Sequence, residues 1–192
     1  MLNKILSIVF LLVLASSAGA KVYSIGPKNT DVGFSIVKFK IGKPVEGHFD
    51  KFSGTVEVDE KTDKITRIKT SIRTPSINTE KKKRDKHLRS EDFFFVEKYP
   101  KMEFVSTKSV AMSESFELPG KLTIRGITKP VVLEVEKTDQ GELKAFTKIN
   151  RLDFGVSWNK TMEKSDWSVV FGMLGKVVLD ETVKIHIQTR LE

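Results

Sequence analysis

The chain has 192 residues and no cysteine, which excludes disulfides, thiolate metal sites, a thiol nucleophile and a lipid-carrying N-terminal cysteine. Its 33 Lys and Arg outnumber 25 Asp and Glu, a formal charge of +8 that suits nucleic acid, anionic lipid or plain solubility. The sequence holds no G-x-S-x-G elbow, Walker loop or dinucleotide glycine pattern, so the common nucleophile and nucleotide motifs are excluded as well.

The first twenty residues, MLNKILSIVFLLVLASSAGA, have the make-up of a secretory signal peptide. Lys4 is the positive start, residues 5–14 are the apolar stretch, and Ala18-Gly19-Ala20 is a small-residue cleavage site. Cleavage after Ala20 leaves one domain, residues 21–192, with a periplasmic or secreted address. That address weighs against nucleic acid as a partner.

Beyond it, period-two alternation dominates. Val32, Phe34 and Ile36 share a parity; Phe52, Gly54, Val56 and Val58 follow, then Ile68 and Ile72. Residues 79–90 break the pattern and are rich in helix formers, with Asn78 or Thr79 as the expected N-cap. Alternation resumes with Met102 and Phe104, Leu122 and Ile124, and Val131, Leu133 and Val135. A second short helix is expected near residues 162–167. In the last stretch, Val177, Leu179, Val183, Ile185, Ile187 and Leu191 take one face, with Lys184, His186, Gln188 and Arg190 on the other. Turn signals are Gly26-Pro27, Gly42-Lys43-Pro44, Pro119-Gly120 and Asp139-Gln140-Gly141. The pattern predicts an all-β protein of about eight strands, an antiparallel sheet closed into a barrel or folded into a sandwich, with one short helix at about 79–90.

The stretch EKKKRDKHLRSEDFFF, residues 80–95, admits three readings: a catalytic patch, a nucleic-acid grip or a lid. As a helix it places Asp85 and Arg89 four apart, spaced to pair on a solvated face. His48 and His186 fall on other strands with no zinc-type spacing, so neither a catalytic residue nor a metal site is expected. The run from Lys81 to Arg84 lacks the spaced aromatics that stack on bases. Asn159-Lys160-Thr161 matches a glycosylation sequon, which matters only in a eukaryotic secretory host. The lid reading remains, in which a basic segment leading into Phe93-Phe94-Phe95 closes one barrel mouth. Alternation alone leaves open whether the interior beneath is hollow or filled.

Four blocks carry a resemblance: VEGHFDKFSGTVEVD (45–59), SINTEKKKRDKHLRSEDFFFVEKYPKMEFVST (76–107), GKLTIRGITKPVVLEV (120–135) and INRLDFGVSW (149–158). Together they resemble the YceI-like family of exported lipid- or polyisoprenoid-binding proteins, over nearly the whole mature chain. Two departures stand out. Gly26 and Asn29-Thr30 replace the aspartate and histidine-serine pair usual near the first strand, and Phe95 stands where aspartate is usual.

The resemblance implies an extended, lipocalin-like antiparallel barrel holding a long apolar ligand, with a helix beside it or over a mouth. On that basis, parity assigns the tunnel wall to Phe34, Ile36, Phe52, Met102, Phe104, Leu122, Ile124 and Leu133, with Phe93, Phe94, Phe154 and Trp158 near the ends. Arg84, Asp85, His87 and Arg89 are expected to brace strands and turns or, with Lys86, to meet a head group. That head group is a phosphate or a quinone ring, between which the sequence does not choose. The expected partners are a long-chain isoprenoid lipid and a transient membrane contact, without cofactor, in a monomer or homodimer. The rival is a periplasmic stress or interaction protein with a filled barrel and a basic partner-binding surface.

Overall fold

A computed structural model of the chain describes residues 19–38, 43–157 and 179–191. Most of the expected signal peptide, Gly42, Trp158, the sequon and the helix expected near 162–167 lie outside the described residues.

The strands are β1 (Ala20–Ile25), β2 (Thr30–Lys38), β3 (Pro44–Phe49), β4 (Phe52–Asp59), β5 (Lys64–Arg73), β6 (Ile77–Asn78), β7 (Lys101–Ser106), β8 (Val110–Ala111), β9 (Ser115–Ile124), β10 (Ile127–Lys137), β11 (Glu142–Asn150) and β12 (Leu179–Arg190). One helix, α1 (Lys82–Arg89), lies between β6 and β7. All strands join one antiparallel sheet in the order β1-β4-β5-β7-β9-β10-β11-β12-β2-β3-β6, with β8 paired to β5.

The twelve segments reduce to eight long strands, because several are one strand kinked. β1 pairs β4 while β2 pairs β3, so β1–β2 runs antiparallel to β3–β4 along its whole length. The break at 26–29 is a turn in which Asn29 N–H donates to Gly26 O at 3.1 Å. β3 bends into β4 at Asp50-Lys51, and β5 into β6 at the short 3-10 turn Thr74–Ser76. These two bends lie side by side, stitched by Asp50 N–H to Ser76 O at 3.1 Å and Arg73 N–H to Lys51 O at 2.9 Å. β12 then pairs β2, and the sheet curls round on itself into a barrel.

Alternation decides what faces inward. On β12, Val183, Ile185 and Ile187 are half-buried while Lys184, His186 and Gln188 are exposed. Burying a Leu or Ile side chain stabilises by about 1.5–3 kcal/mol, so a one-residue slip in register would expose the whole row. No buried side-chain polar atom among the described residues lacks a hydrogen-bond partner.

Two local expectations are corrected. Pro119-Gly120 is no turn: both residues lie within β9, where Pro119 O accepts Thr107 N–H at 2.9 Å. Proline fits because this position, beside the end of β7, needs an acceptor rather than a donor. The tight turn is Arg125-Gly126, with φ of 51° and 75°, and it brings Ile124 opposite Ile127. The helix begins at Lys82 behind Lys81, without a side-chain cap, because the expected caps are engaged elsewhere. Asn78 Oδ1 accepts Glu80 N–H at 2.9 Å, and Thr79 binds Asp85.

Candidate functional site

The barrel encloses a cavity of about 940 Å³. Its wall draws on residues from β1 to β5, α1, the Phe93-Phe94 segment, β7 and β9 to β12. The interior is hollow, as the lipid-holding reading expects, and the rival's filled barrel is not found.

Two glycines help keep it so. A Cβ at Gly47 would stand 2.5 Å from Phe34 Cζ, and one at Gly120 would stand 2.3 Å from Phe104 Cζ. Each ring therefore presses against the wall where a neighbouring strand has no side chain, rather than across the lumen. At one end Ile65, 1 % exposed, and Leu118, 2 % exposed, converge with Val135. Thr30 Oγ1 and Thr189 Oγ1 share a 2.6 Å hydrogen bond there.

The departure at Asn29-Thr30 has its place at this end. Asn29 Nδ2 donates to Ser24 O at 2.8 Å and to Arg190 O at 3.2 Å, tying the β1–β2 kink to β12.

The opposite end carries α1. Asp85, buried, accepts Thr79 N–H at 3.0 Å and the Thr79 hydroxyl. Arg84 donates through Nε to Thr79 Oγ1 and through Nη2 to Thr79 O, both at 2.7 Å. Arg89 donates to Pro75 O and Ile77 O, again both at 2.7 Å. The expected Asp85–Arg89 pair does not form, because each group instead satisfies backbone or hydroxyl groups of the irregular 74–80 segment. Asp85 and Arg89 are bracing residues that do not line the cavity, whereas Arg84 and His87 do. Lys86 is exposed and outside the wall.

His87 Nε2 lies 3.1 Å from Asp92 Oδ2, and its ring meets Phe93 edge-on at 5.0 Å. Phe49 packs on Phe34 at 5.8 Å and on Phe94 at 6.0 Å, carrying the aromatic wall down from the mouth. Arg125 Nη1 donates to Glu91 O at 2.8 Å and to Phe93 O, clamping this segment. Phe95 has a φ of 46°, a left-handed conformation that small polar residues tolerate better than a bulky ring. Packing on Tyr99 at 6.0 Å holds the Phe95 ring.

Of the twelve apolar residues assigned by parity, ten line the cavity: Phe34, Ile36, Met102, Phe104, Leu122, Ile124, Leu133, Phe93, Phe94 and Phe154. Phe52 does not. It is buried at the β3–β4 corner, where the strand bends as the kink resets its direction, and packs in the core instead. Trp158 falls outside the described residues.

Sequence reasoning passed over Arg151, which lines the cavity at the helix end. The signal was available, since Ala145, Thr147, Ile149 and Arg151 continue one parity and all four line the wall. Arg151 donates through Nε to Asp180 O at 3.0 Å and through Nη1 to Val156 O at 2.7 Å. Burial pushes its guanidinium below the ordinary value, against the opposing pull of Glu181 and Asp180. Among the described residues no group of three or more His, Asp or Glu is placed to hold a metal.

Comparison with known proteins places this geometry. Residues 23–191 match the family described as YceI-like domain. A UPF0312 protein of Photorhabdus laumondii is 37% identical over 134 residues, 69% of each chain. Protein YceI of Escherichia coli is 41% identical over 96 residues, half of each chain. Among solved structures, BcnA of Burkholderia cenocepacia superposes with a TM-score of 0.64 at 25% identity, covering 83% of this chain and 94% of that one. A polyisoprenoid binding domain from Saccharophagus degradans superposes with a TM-score of 0.56 at 13% identity, covering 88% and 98%, and shares the fold.

Proposed function

Because the chain belongs to the YceI-like domain family, we propose that it is an exported, non-enzymatic binding protein that holds a polyisoprenoid or similar long-chain lipid in its barrel, for carriage or storage. The observation that carries this reading is the apolar cavity of about 940 Å³. At about 30 Å³ for each water-sized group, it has room for a chain on the order of thirty carbons, about six isoprene units. At about 0.8 kcal/mol per buried methylene, such a chain gains on the order of 24 kcal/mol gross. Association costs about 4–15 kcal/mol plus the ordering of the tail, so a shorter chain of two or three units is held weakly and a long one well. The Saccharophagus domain of the same fold is described as polyisoprenoid binding, which supports the ligand class. The signal-peptide pattern of residues 1–20 supports export, and the basic surface suits a transient contact with anionic membrane.

The test is mass spectrometry of an organic extract of the protein, purified without detergent from its exported compartment. A stoichiometric isoprenoid or other long-chain lipid is expected. A clean extract, repeated after incubation with membrane lipids, overturns the reading.

A further inference from the structure

The chain has three histidines and no cysteine, and two of the three, far apart in sequence, meet on the outer face of the barrel. β12 pairs β2 with His186 opposite Gly33, and β2 pairs β3 with Gly33 opposite His48. The two imidazoles therefore share one row across three strands, with a residue that has no side chain between them. Spacing along the chain gives no sign of this, because the row exists only once β12 has closed the barrel on β2.

His186 fills the gap from one side. A Cβ at Gly33 would stand 2.1 Å from His186 Nε2, 2.6 Å from Cε1 and 2.8 Å from Cδ2, so the far edge of the ring lies over Gly33. Neighbouring strands are about 4.8 Å apart, and Nε2 has thus crossed one of the two intervals that separate it from β3. Two metal–imidazole bonds of about 2.0–2.1 Å each span most of what remains, and the His48 side chain covers the rest. Both histidines are exposed to solvent.

His48 is prepared from the other side. Its Nε2 lies 3.0 Å from Asp50 Oδ1, and Asp50 Oδ2 accepts from Asn78 Nδ2 at 3.4 Å. A carboxylate only accepts, so in the neutral ring Nε2 carries the proton and the lone pair is left on Nδ1. A carboxylate placed behind an imidazole in this way fixes its tautomer and raises its basicity toward a metal. Two imidazoles fall short of the ligand set of a structural zinc site, in keeping with the lack of any group of three or more such residues among those described. They suit an open, exchangeable site for a borderline divalent ion, with Cu(II) held most tightly in the Irving–Williams order.

We infer that the outer face of β12, β2 and β3 carries a two-histidine site for a divalent transition-metal ion, with His186 Nε2 and His48 Nδ1 as ligands and Asp50 as the group that orients His48. The site lies on the opposite face of the sheet from the cavity and does not depend on lipid binding.

The experiment is a Cu(II) titration of the protein, purified without an affinity tag, followed by electron paramagnetic resonance, whose nitrogen couplings count the coordinated imidazoles. Wild type is expected to bind one Cu(II) through two imidazoles. His186→Ala and His48→Ala each leave one imidazole and lower the affinity at least tenfold, and unchanged circular dichroism at these exposed positions separates loss of a ligand from loss of the fold. Asp50→Asn keeps both imidazoles and binds about tenfold more weakly. Gly33→Ala, whose methyl takes the place of the His186 ring edge, weakens binding with both histidines present. A single imidazole on Cu(II) in wild type, or wild-type affinity in either histidine variant, overturns the site and leaves His186 as a ring packed on a bare glycine.

Discussion

At the end of the barrel formed by the turns after β4 and β10, the walls converge on Ile65, Leu118 and Val135, all nearly inaccessible to solvent. At the other end, α1 and the Phe93-Phe94 segment bring Lys83, Arg84 and His87, with Arg151 across from them, to the rim of an equally apolar wall. The difference lies in how each end satisfies its backbone. Short turns close the first with their own hydrogen bonds, such as Thr62 N–H to Asp59 O at 3.3 Å and Gly141 N–H to Thr138 O at 2.9 Å. The irregular segments of the second leave carbonyls outside any ladder, and arginines fill them: Arg84 to Thr79, Arg89 to Pro75 and Ile77, Arg125 to Glu91 and Phe93, Arg151 to Val156 and Asp180. Among the described residues, apolar side chains converge at one end and charged bracing frames the other.

The sharpest way to break that contrast is to place a charge at each depth. Ile65→Asp puts an unpaired carboxylate in the apolar end, costs several kcal/mol and unfolds the barrel, as circular dichroism would record. Phe104→Arg faces the hollow, where the guanidinium can be hydrated; the barrel stays folded while lipid uptake is lost. If both variants unfold alike, the two depths are not different and the hollow interior is wrong.

Next in size is the brace of the helix end. Asp85→Ala leaves the buried Thr79 N–H without its acceptor, with a loss of about 1–3 kcal/mol, read as a lower denaturant midpoint. Hydrogen exchange should quicken in residues 77–90 before it does in β5 or β9.

Gly120→Ala is of similar size but acts on the cavity as well, its Cβ also meeting the Val105 carbonyl oxygen at 2.9 Å. Its new Cβ, 2.3 Å from the Phe104 ring, drives that ring into the lumen at about 1–3 kcal/mol. Affinity for long lipids should fall more than affinity for short ones.

The smallest effect is at the apolar end's β4–β5 turn. The Thr62 hydroxyl and the Lys61 N–H hold the exposed Asp59 carboxyl below its ordinary value. A carboxyl with a lowered folded-state pKa stabilises above its unfolded value, and that stabilisation fades as pH falls through the folded one. Asp59→Asn should therefore flatten the acid limb of a melting-temperature profile slightly while leaving ligand affinity unchanged.

Much of this was legible in the residues. Period two fixes side-chain direction locally, so the inward rows of β2, β7, β9, β10 and β12 could be read without knowing their neighbours. The break at 79–90 and its basic character were equally plain. Pro119-Gly120 misled because a turn signal and a strand position beside a short neighbour look alike until the neighbour is known. Asp85 and Arg89 misled because helix spacing offers them to each other, while the 74–80 segment, folded alongside, offers both better partners.

The sequence by itself determined an all-β antiparallel fold, its wet and dry faces, and the residues able to line an apolar interior, while the barrel came with the family resemblance. Only the tertiary structure decided that the interior is hollow, at which end apolar side chains converge, and that Arg151 faces the same space as α1. The reason is that side-chain direction is a property of one strand. Enclosed volume depends instead on all eight strands at once, on the bends at 26–29, 50–51 and 74–76, and on glycines that give two rings a place against the wall.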